Sequence, residues 1–228
     1  QGEVTSREGQ ALTWVSVADL NSISMPDADL PVINALQLPD TYLITPEPAS
    51  YGQNRFVDAI ESALQQGVKV IQLRSKQLST ADYVALAVKV KERCDAHNAD
   101  LIVNESAEVM IQVGADGLHL SVENWRKCSQ RPIPPNYWLG VSCHSENELS
   151  ESAVIEPDYA FLSPVANTSS HPQTTPIGWE AFESGVDQVN IPVYALGGMT
   201  RALIAKAHQH GAQGIAAISS LWPEQGET

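Results

Sequence analysis

Eight short apolar segments recur between residues 41 and 220, and longer amphipathic segments separate them. In chain order they are TYLIT (41–45), KVIQLR (69–74), DLIVN (100–104), DGLHL (116–120), YWLGVSC (137–143), DYAFLS (158–163), PVYALGG (192–198) and GIAAISS (214–220). Near-continuous apolar runs of this length are typical of strands that are buried on both faces of a parallel sheet. The pattern therefore predicts eight parallel strands.

The segments between the strands carry helical periodicity. Residues 54–66 place their apolar side chains on one stripe, and Gly67 follows, a residue type that commonly ends helices. Residues 79–97 begin with a Ser-Thr-Ala-Asp sequence suited to capping a helix, and residues 199–210 end before Gly211. These features predict a helix in each of the three segments.

Strands and helices that alternate over this length predict an α/β fold, a compact (β/α)8 barrel. A doubly wound open sheet is the alternative. It is disfavoured because no G-x-G-x-x-G sequence follows the first strand, and because a G-A-x-G sequence precedes two strands, at residues 114–117 and 211–214. Only residues 221–228 follow the last strand, so the eighth outer helix is expected to be short or absent.

The first 40 residues have a different character. They contain one strand-like segment, LTWVSV (12–17), and one short helical segment, PVINAL (31–36). Forty residues are too few for an independent hydrophobic core. The sequence therefore divides into residues 1–40, which either pack on the barrel or belong to another domain, and a barrel of residues 41–228.

Charge and cysteine content narrow the class of protein. The chain has 13 Lys and Arg against 27 Asp and Glu, a formal net charge of −14, which disfavours general electrostatic binding of nucleic acid. Three cysteines without a C-x-x-C sequence predict a reducing compartment, and no apolar run approaches the roughly 18 residues that span a bilayer. We therefore expect a cytoplasmic protein without membrane or nucleic-acid partners. The oligomeric state stays open, a homodimer among the alternatives.

Polar residues follow several predicted strands, where a (β/α)8 barrel places its active site. These candidates are Gln72, Arg74 and Lys76 after the second strand, Asn104 after the third, Ser142 and His144 after the fifth, Gly198 after the seventh, and Ile218 and Ser219 after the eighth. His144 is a candidate general acid or base, because an imidazole can both donate and accept a proton, with a structural role as the alternative.

Two of the strand ends predict a phosphate site. Gly197-Gly198 allows the backbone to approach an anion closely, and Ser219-Ser220 would complete the site with hydroxyl and N–H donors. Arg74 can bind phosphate through its planar guanidinium and Lys76 as a point charge. The loop of residues 168–171 offers further hydroxyl donors, although its composition also suits an ordinary polar loop.

At these residues the chain resembles the thiamine phosphate synthase family and the related thiazole tautomerase family. The resemblance covers residues 41–222 and is carried by IQLRSK, LIVNES, ADGLHL, LGVSCHS, DYAFLSPV, ALGGMT, GAQGIAAISS and the loop of residues 168–171. It implies a (β/α)8 barrel and a transferase. Such an enzyme joins hydroxymethylpyrimidine diphosphate to thiazole phosphate with release of diphosphate, and Mg²⁺ offsets the diphosphate charge.

Carried over by its motifs, the resemblance implies roles for individual residues. The pyrimidine diphosphate would be held by Gln72, Arg74, Lys76 and Asn104, with Ser142 at the pocket wall, phosphate contacts from Thr168, Ser170 and His171, and thiazole phosphate contacts from Gly198, Ile218 and Ser219. Lys76 and His144 are the candidate catalytic residues.

Two positions depart from the metal ligands of the synthase pattern. Glu105 stands where the family usually has Asp, and Asn124 stands where a second Asp is usual. Mg²⁺ demands close octahedral geometry, so weakened binding through Glu105 is expected. The tautomerase family lacks these carboxylates and uses a His that aligns with His144. Proton transfer on a thiazole carboxylate phosphate is therefore the alternative function.

Residues 1–40 resemble the C-terminal end of a MutT-like Nudix hydrolase, through GEVTSREGQALTWVSVADL and MPDADLPVINAL. The base-recognising residue of that family would fall on Asp29, and the Nudix box itself is absent from the sequence. The resemblance implies a Nudix domain fused to the barrel. A further alternative follows, in which the barrel is a non-catalytic phosphate-binding or stabilising module of an 8-oxo-dGTP-type hydrolase.

Overall fold

Eight parallel strands close into a barrel in which each strand pairs with its neighbours in the sequence. The structure is a computed structural model, and it describes residues 9, 12–23, 25–168 and 174–223. The strands are β1 (Thr41–Ile44), β2 (Val70–Leu73), β3 (Asp100–Val103), β4 (Gly117–Leu120), β5 (Trp138–Cys143), β6 (Tyr159–Leu162), β7 (Val193–Leu196) and β8 (Gly214–Ala217). Pairing of β1 with β8, where Thr41 lies opposite Ile215, completes the closure. The predicted barrel is confirmed.

Helices and short 3₁₀ turns surround the barrel. The helices are α1 (Leu30–Gln37), α2 (Gln53–Gln65), α3 (Thr80–Ala96), α4 (Ala107–Val113), α5 (Val122–Trp125), α6 (Glu146–Ser152), α7 (Gly178–Val186) and α8 (Ile204–Gln209), and the 3₁₀ turns are Val17–Ser22, Asp27–Asp29, Pro48–Ser50, Ala153–Ile155 and Arg201–Leu203. The predicted segments 54–66 and 79–97 are helices within one residue at each end. No helix follows β8 among residues 218–223.

Two predicted elements differ from the structure. The strand-like segment 12–17 is not a strand: residues 12–16 have no regular structure and Val17 begins a 3₁₀ turn. A closed barrel has no free edge for a ninth strand to pair with, and an unpaired strand is not stable in water. The predicted helix 199–210 is shorter, because Thr200 is extended and the first turn is 3₁₀.

The core has two parts that the alternation of strand side chains explains. An outer cluster fills the space between the barrel and its helices, with residues such as Leu43, Leu101 and Phe182. An inner cluster fills the inside of the barrel and includes the aromatic side chains of Tyr42, Tyr159, Phe161 and Tyr194. The hydroxyls of Tyr42 and Tyr159 share a hydrogen bond of 2.7 Å.

The segment before β1 closes the N-terminal end of the barrel, which we call the floor. Ile33 and Leu38 are buried, and Gln213 Nε2 donates to the carbonyl oxygens of Ala35 and Leu38 (2.9 and 2.7 Å). Tyr194 Oη donates to the Pro39 carbonyl at 2.6 Å. Residues 30–40 therefore pack on the barrel.

Exposed apolar side chains concentrate before and along α1. They are Leu12, Trp14, Val17, Met25, Leu30, Val32 and Leu36, and Trp14 is 89% exposed. Among the described residues, none of the helices has both the length and the apolar character that crossing a membrane requires.

Candidate active site

A pocket of about 1110 Å³ opens at the C-terminal end of the barrel, which we call the mouth. Every second residue of a strand points inward, so the inner positions of successive strands form layers. On β6 the inward positions run from Tyr159 through Phe161 to Ser163, and the last two line the pocket. The chemistry of the mouth is therefore set by the residues at and just beyond the strand ends.

The base of the pocket holds two buried polar atoms without a partner. His119 Nε2 shares a hydrogen bond of 2.8 Å with Ser142 Oγ, and the imidazole stacks on Phe161 with ring centroids 4.3 Å apart. In the described part of the chain nothing bonds to His119 Nδ1 or to Gln72 Oε1. An unpaired buried polar atom costs free energy unless a ligand satisfies it. Both atoms thus favour a ligand with hydrogen-bonding groups at this depth.

Burial keeps His119 neutral. Desolvation lowers the pKa of its imidazole to about 3, because the charged form is disfavoured away from water. A neutral imidazole provides one donor and one acceptor. His119 is therefore a stacked hydrogen-bonding group rather than a cation.

Asn104 is held by contacts on both sides. Its Nδ2 donates to the His119 carbonyl at 2.7 Å, and its backbone N–H donates to Tyr83 Oη at 3.2 Å. Tyr83 Oη in turn donates to the Leu73 carbonyl at 2.7 Å. The Asn104 side chain is thereby fixed at the pocket wall.

Two cations, Arg74 and Lys76, line one side of the mouth. The backbone N–H of Arg74 donates to Thr45 Oγ1 at 3.0 Å, which ties the end of β2 to the end of β1. Over the part of the chain that the structure describes, neither cation has a carboxylate within 4.0 Å. Two unpaired cations beside a pocket favour an anionic ligand.

Neutral donors face them from β7 and β8. Gly198 has φ +70°, and a Cβ there would lie 2.5 Å from the Asn167 carbonyl oxygen, so the tight turn requires glycine. Within the described ranges, the backbone N–H groups of Gly198, Ser219 and Ser220 donate to no backbone oxygen. Ser220 Oγ donates to the Met199 carbonyl at 2.7 Å and joins the two loops. Free N–H groups in a glycine turn suit a phosphate.

His144 lies beyond β5 at the rim and is exposed. Its backbone N–H donates to Glu148 Oε2 at 2.7 Å. Its Nδ1 lies 3.0 Å from the Ser163 carbonyl oxygen, which favours a proton on Nδ1 and leaves Nε2 as the acceptor. In this tautomer, His144 can accept a proton through Nε2.

The thiamine monophosphate synthase family model matches residues 41–221. The chain belongs to this family. A thiamine-phosphate synthase of Fusobacterium nucleatum is 30% identical over 81% of this chain and 89% of its own length, and one of Methanoculleus marisnigri is 34% identical over 80% and 87%. The thiamine phosphate pyrophosphorylase structure from Pyrococcus furiosus is 27% identical, with a TM-score of 0.65 over 79% of this chain and 85% of that one.

One pocket of this thiamine monophosphate synthase family member is lined by most of the predicted site residues. They are Gln72, Arg74, Lys76, Asn104, Ser142, His144, Thr168, Gly198, Ile218 and Ser219. Ser170 and His171 lie outside the described residues, so their predicted phosphate contacts stay predictions. Glu105 does not line the pocket, whereas Asn124 does.

The donor set does not match a carboxylate-bound Mg²⁺. Two carboxylates line the described pocket, Glu47 and Glu123, and each is already engaged, Glu123 with Lys127 at 2.9 Å. No group of three or more His, Cys, Asp or Glu able to hold a metal occurs among the described residues. The residue at the family's second ligand position is the neutral amide of Asn124.

The sequence patterns did not predict several pocket residues, among them Glu47, His119 as a ligand contact, and Phe161. Counting by two from Gly117 places His119 inward, and the same count from Tyr159 reaches Phe161, so the strand period held the signal for both. Glu47 belongs to a loop without periodicity. Its place depends on contacts with the next loop, which the sequence pattern does not contain.

Proposed function

We propose that the chain joins a hydroxymethylpyrimidine diphosphate to a thiazole phosphate and releases diphosphate. The observation that carries this proposal is the order of polar groups in one pocket, with neutral hydrogen-bonding atoms at the base and cations at the mouth. Unpartnered Gln72 Oε1 and His119 Nδ1 lie at the base, and unpaired Arg74 and Lys76 lie at the mouth. An amino-substituted heterocycle with an anionic tail has its hydrogen-bonding groups and its charge arranged in the same order.

The reaction needs position and charge more than a nucleophile from the protein. The bond between the pyrimidine methylene carbon and the diphosphate oxygen breaks, and diphosphate leaves with the electron pair. The thiazole nitrogen then forms the new C–N bond with its own lone pair, so no proton has to move. Arg74 and Lys76 would stabilise the charge that develops on the leaving diphosphate.

The thiazole phosphate would occupy the other side of the mouth. The N–H groups of Gly198 and Ser219 are directed by tight turns and have no backbone acceptor in the described chain, which supports phosphate binding there. His119 and Phe161 form a stacked pair at the base that suits a flat heteroaromatic ring.

The test is to incubate the chain with both substrates, with and without Mg²⁺, and to measure thiamine phosphate formation together with diphosphate release. We expect stoichiometric product and diphosphate, and a Lys76→Ala variant with strongly reduced turnover. Absence of product at high enzyme concentration would contradict the proposal. The Mg²⁺ titration also examines the metal dependence predicted from the sequence.

A thiazole tautomerase is the second candidate, and the contact of His144 with Ser163 favours it. An Nε2 free to accept a proton suits a general base acting on a thiazole carboxylate phosphate. The His144→Ala variant separates the two: it should abolish tautomerisation if this candidate is correct and leave most synthase turnover intact if it is not. Unchanged tautomerisation in His144→Ala would eliminate the second candidate.

We also propose that residues 1–40 are the end of a Nudix domain that precedes the barrel, in a cytoplasmic protein. The apolar side chains exposed on this segment, Trp14 above all, support a neighbour that covers them. The test is to assay the product of the whole reading frame for hydrolysis of an 8-oxo-dGTP-type nucleotide. A reading frame without a Nudix box would contradict the proposal. Retained hydrolase stability and activity after barrel deletion would contradict the stabilising-module alternative.

A further inference from the structure

One carboxylate joins the first two loops of the mouth. Glu47 lies between β1 and the turn Pro48–Ser50, and it lines the pocket. Ser75 Oγ donates to Glu47 Oε1, and the backbone N–H of Lys76 donates to Glu47 Oε2 at 2.8 Å. Both carboxylate oxygens are therefore occupied by donors from the loop after β2.

The loop after β2 is organised around the hydroxyl of Ser75. Its Oγ accepts the backbone N–H groups of Gln77 and Leu78 at 3.2 and 3.1 Å, while its proton goes to Glu47. The hydroxyl has one proton and two lone pairs, so all its hydrogen-bonding capacity is used. The orientation of this loop consequently depends on the carboxylate across from it.

In the described chain, the same contacts leave the positive charge of Lys76 unpaired at the mouth. Glu47 lies next to a lysine in space, yet it accepts the neutral N–H of Lys76 and the neutral hydroxyl of Ser75. Across the described residues, the Lys76 ammonium has no carboxylate within 4.0 Å. An ion pair would offset the charge that an anionic ligand needs.

We propose that Glu47 is a positioning residue for Lys76. It fixes the Lys76 backbone and the turn around Ser75, and it leaves the ammonium unpaired for an anion. A loop held in its bound arrangement loses less conformational entropy when the ligand arrives. The identity of this anion as a pyrimidine diphosphate rests on the proposed function.

The experiment compares Glu47→Ala and Glu47→Gln with the wild type. Titration calorimetry measures the affinity for inorganic diphosphate, and steady-state kinetics measure kcat and the KM for each substrate. Glu47→Ala should weaken diphosphate binding and raise the KM of the pyrimidine diphosphate about tenfold, the size expected for losing hydrogen bonds to a charged group. Glu47→Gln should cost about threefold, because its amide oxygen still accepts the Lys76 N–H.

A merely structural role would produce a different pattern. We expect the KM of the thiazole phosphate to change less than about twofold, since Gly198 and Ser219 do not depend on Glu47. The control is Glu61→Ala, which removes a carboxylate that binds His97 on the outer surface and should leave all these constants unchanged. Equal loss of both KM values, or unchanged diphosphate affinity in Glu47→Ala, would overturn the inference.

The two proposals fail separately. If wild type binds diphosphate but forms no product, the proposed function is wrong and the calorimetry still decides the role of Glu47. If wild type forms product and Glu47→Ala binds diphosphate as tightly as wild type, the role of Glu47 is wrong and the function stands. If wild type binds no diphosphate, both are wrong.

Discussion

The two ends of the barrel use polar groups in opposite ways. At the floor, Tyr42 pairs with Tyr159, and Tyr194 pairs with the Pro39 carbonyl. At the mouth, Gln72 Oε1 has no partner and Arg74 has no carboxylate beside it in the described chain. In these residues the barrel separates stability from ligand binding: the floor hydroxyls are paired within the protein, whereas the unpaired groups at the mouth can be satisfied by a ligand.

The largest expected effect comes from a substitution at the floor, Gly214→Ala. A Cβ at Gly214 would lie 2.1 Å from the Asp40 carbonyl oxygen, which also accepts the Ile215 N–H at 2.9 Å. Gly214→Ala should therefore lower the free energy of unfolding by about 3 kcal/mol, since backbone has to move and a strand hydrogen bond is strained. Urea denaturation measures the change.

Activity provides the control for the floor. Below its unfolding transition, Gly214→Ala should keep kcat/KM within about twofold of wild type, because the substitution lies at the opposite end from the ligand. Tyr194→Phe is the milder variant and should cost about 1 kcal/mol through loss of one hydrogen bond. Loss of turnover in a fully folded floor variant would contradict the separation of the two ends.

The next largest expected effect comes from a substitution at the mouth, Arg74→Ala. Arg74→Ala should lower kcat/KM about 100-fold, equal to about 2.7 kcal/mol, because a cation that offsets leaving-group charge is removed. Its free energy of unfolding should stay within about 0.5 kcal/mol of wild type, since the side chain makes no ion pair in the described structure. Steady-state kinetics and urea denaturation together give both values.

A second arginine is the matched control. Arg126 is an exposed cation that pairs with Glu151 at 2.8 Å outside the pocket. Arg126→Ala removes the same charge from the protein and should leave kcat/KM unchanged. Equal losses in the two variants would mean that net charge, rather than the position of Arg74, governs activity.

The smallest expected effect concerns His119, which lies between the floor and the mouth. It is measured as the pH dependence of the free energy of unfolding. The pKa of His119 is lowered by burial to about 3, while an unfolded histidine titrates near 6.5. Only the unfolded chain takes up this proton below pH 6.5, so stability is lost as the pH falls. At pH 5, His119→Asn should have lost about 2 kcal/mol less than wild type, relative to pH 7.

Asp100 also contributes to the pH dependence of stability, in the opposite direction to His119. Desolvation raises the pKa of its carboxyl to about 6, so the folded chain binds that proton more tightly and stability falls as the pH rises from about 4 to about 6. Its contribution is the same in wild type and in His119→Asn and cancels in the comparison. Parallel stability profiles for the two proteins would show that His119 is not buried neutral.

The sequence predicted the barrel because each strand is apolar on both faces. Leu101 and Ile102, for instance, are both buried but lie in different clusters, one outside and one inside the barrel. The same reasoning failed for residues 12–16, where an alternating segment has no strand to pair with. Local pattern gives the propensity for a strand, and only the closed topology decides whether an edge is available.

Site residues that directly follow a strand could be predicted from the sequence. Arg74 and His144 each follow a strand directly, so the barrel fixes where they go. Glu105 also follows a strand and yet does not line the pocket, since position along the chain does not determine the direction of a loop side chain. Glu47 was unpredictable for a related reason: its role lies in a contact between two loops.

The floor is also where the chain enters the barrel. Residues 30–40 run across that end before β1 begins, so whatever precedes Leu30 is tethered on the side away from the substrates. A protein attached there, by nature or by an engineer, would leave the route of substrate entry and diphosphate exit unobstructed. We therefore expect immobilisation or fusion on the N-terminal side of Leu30 to leave turnover unblocked.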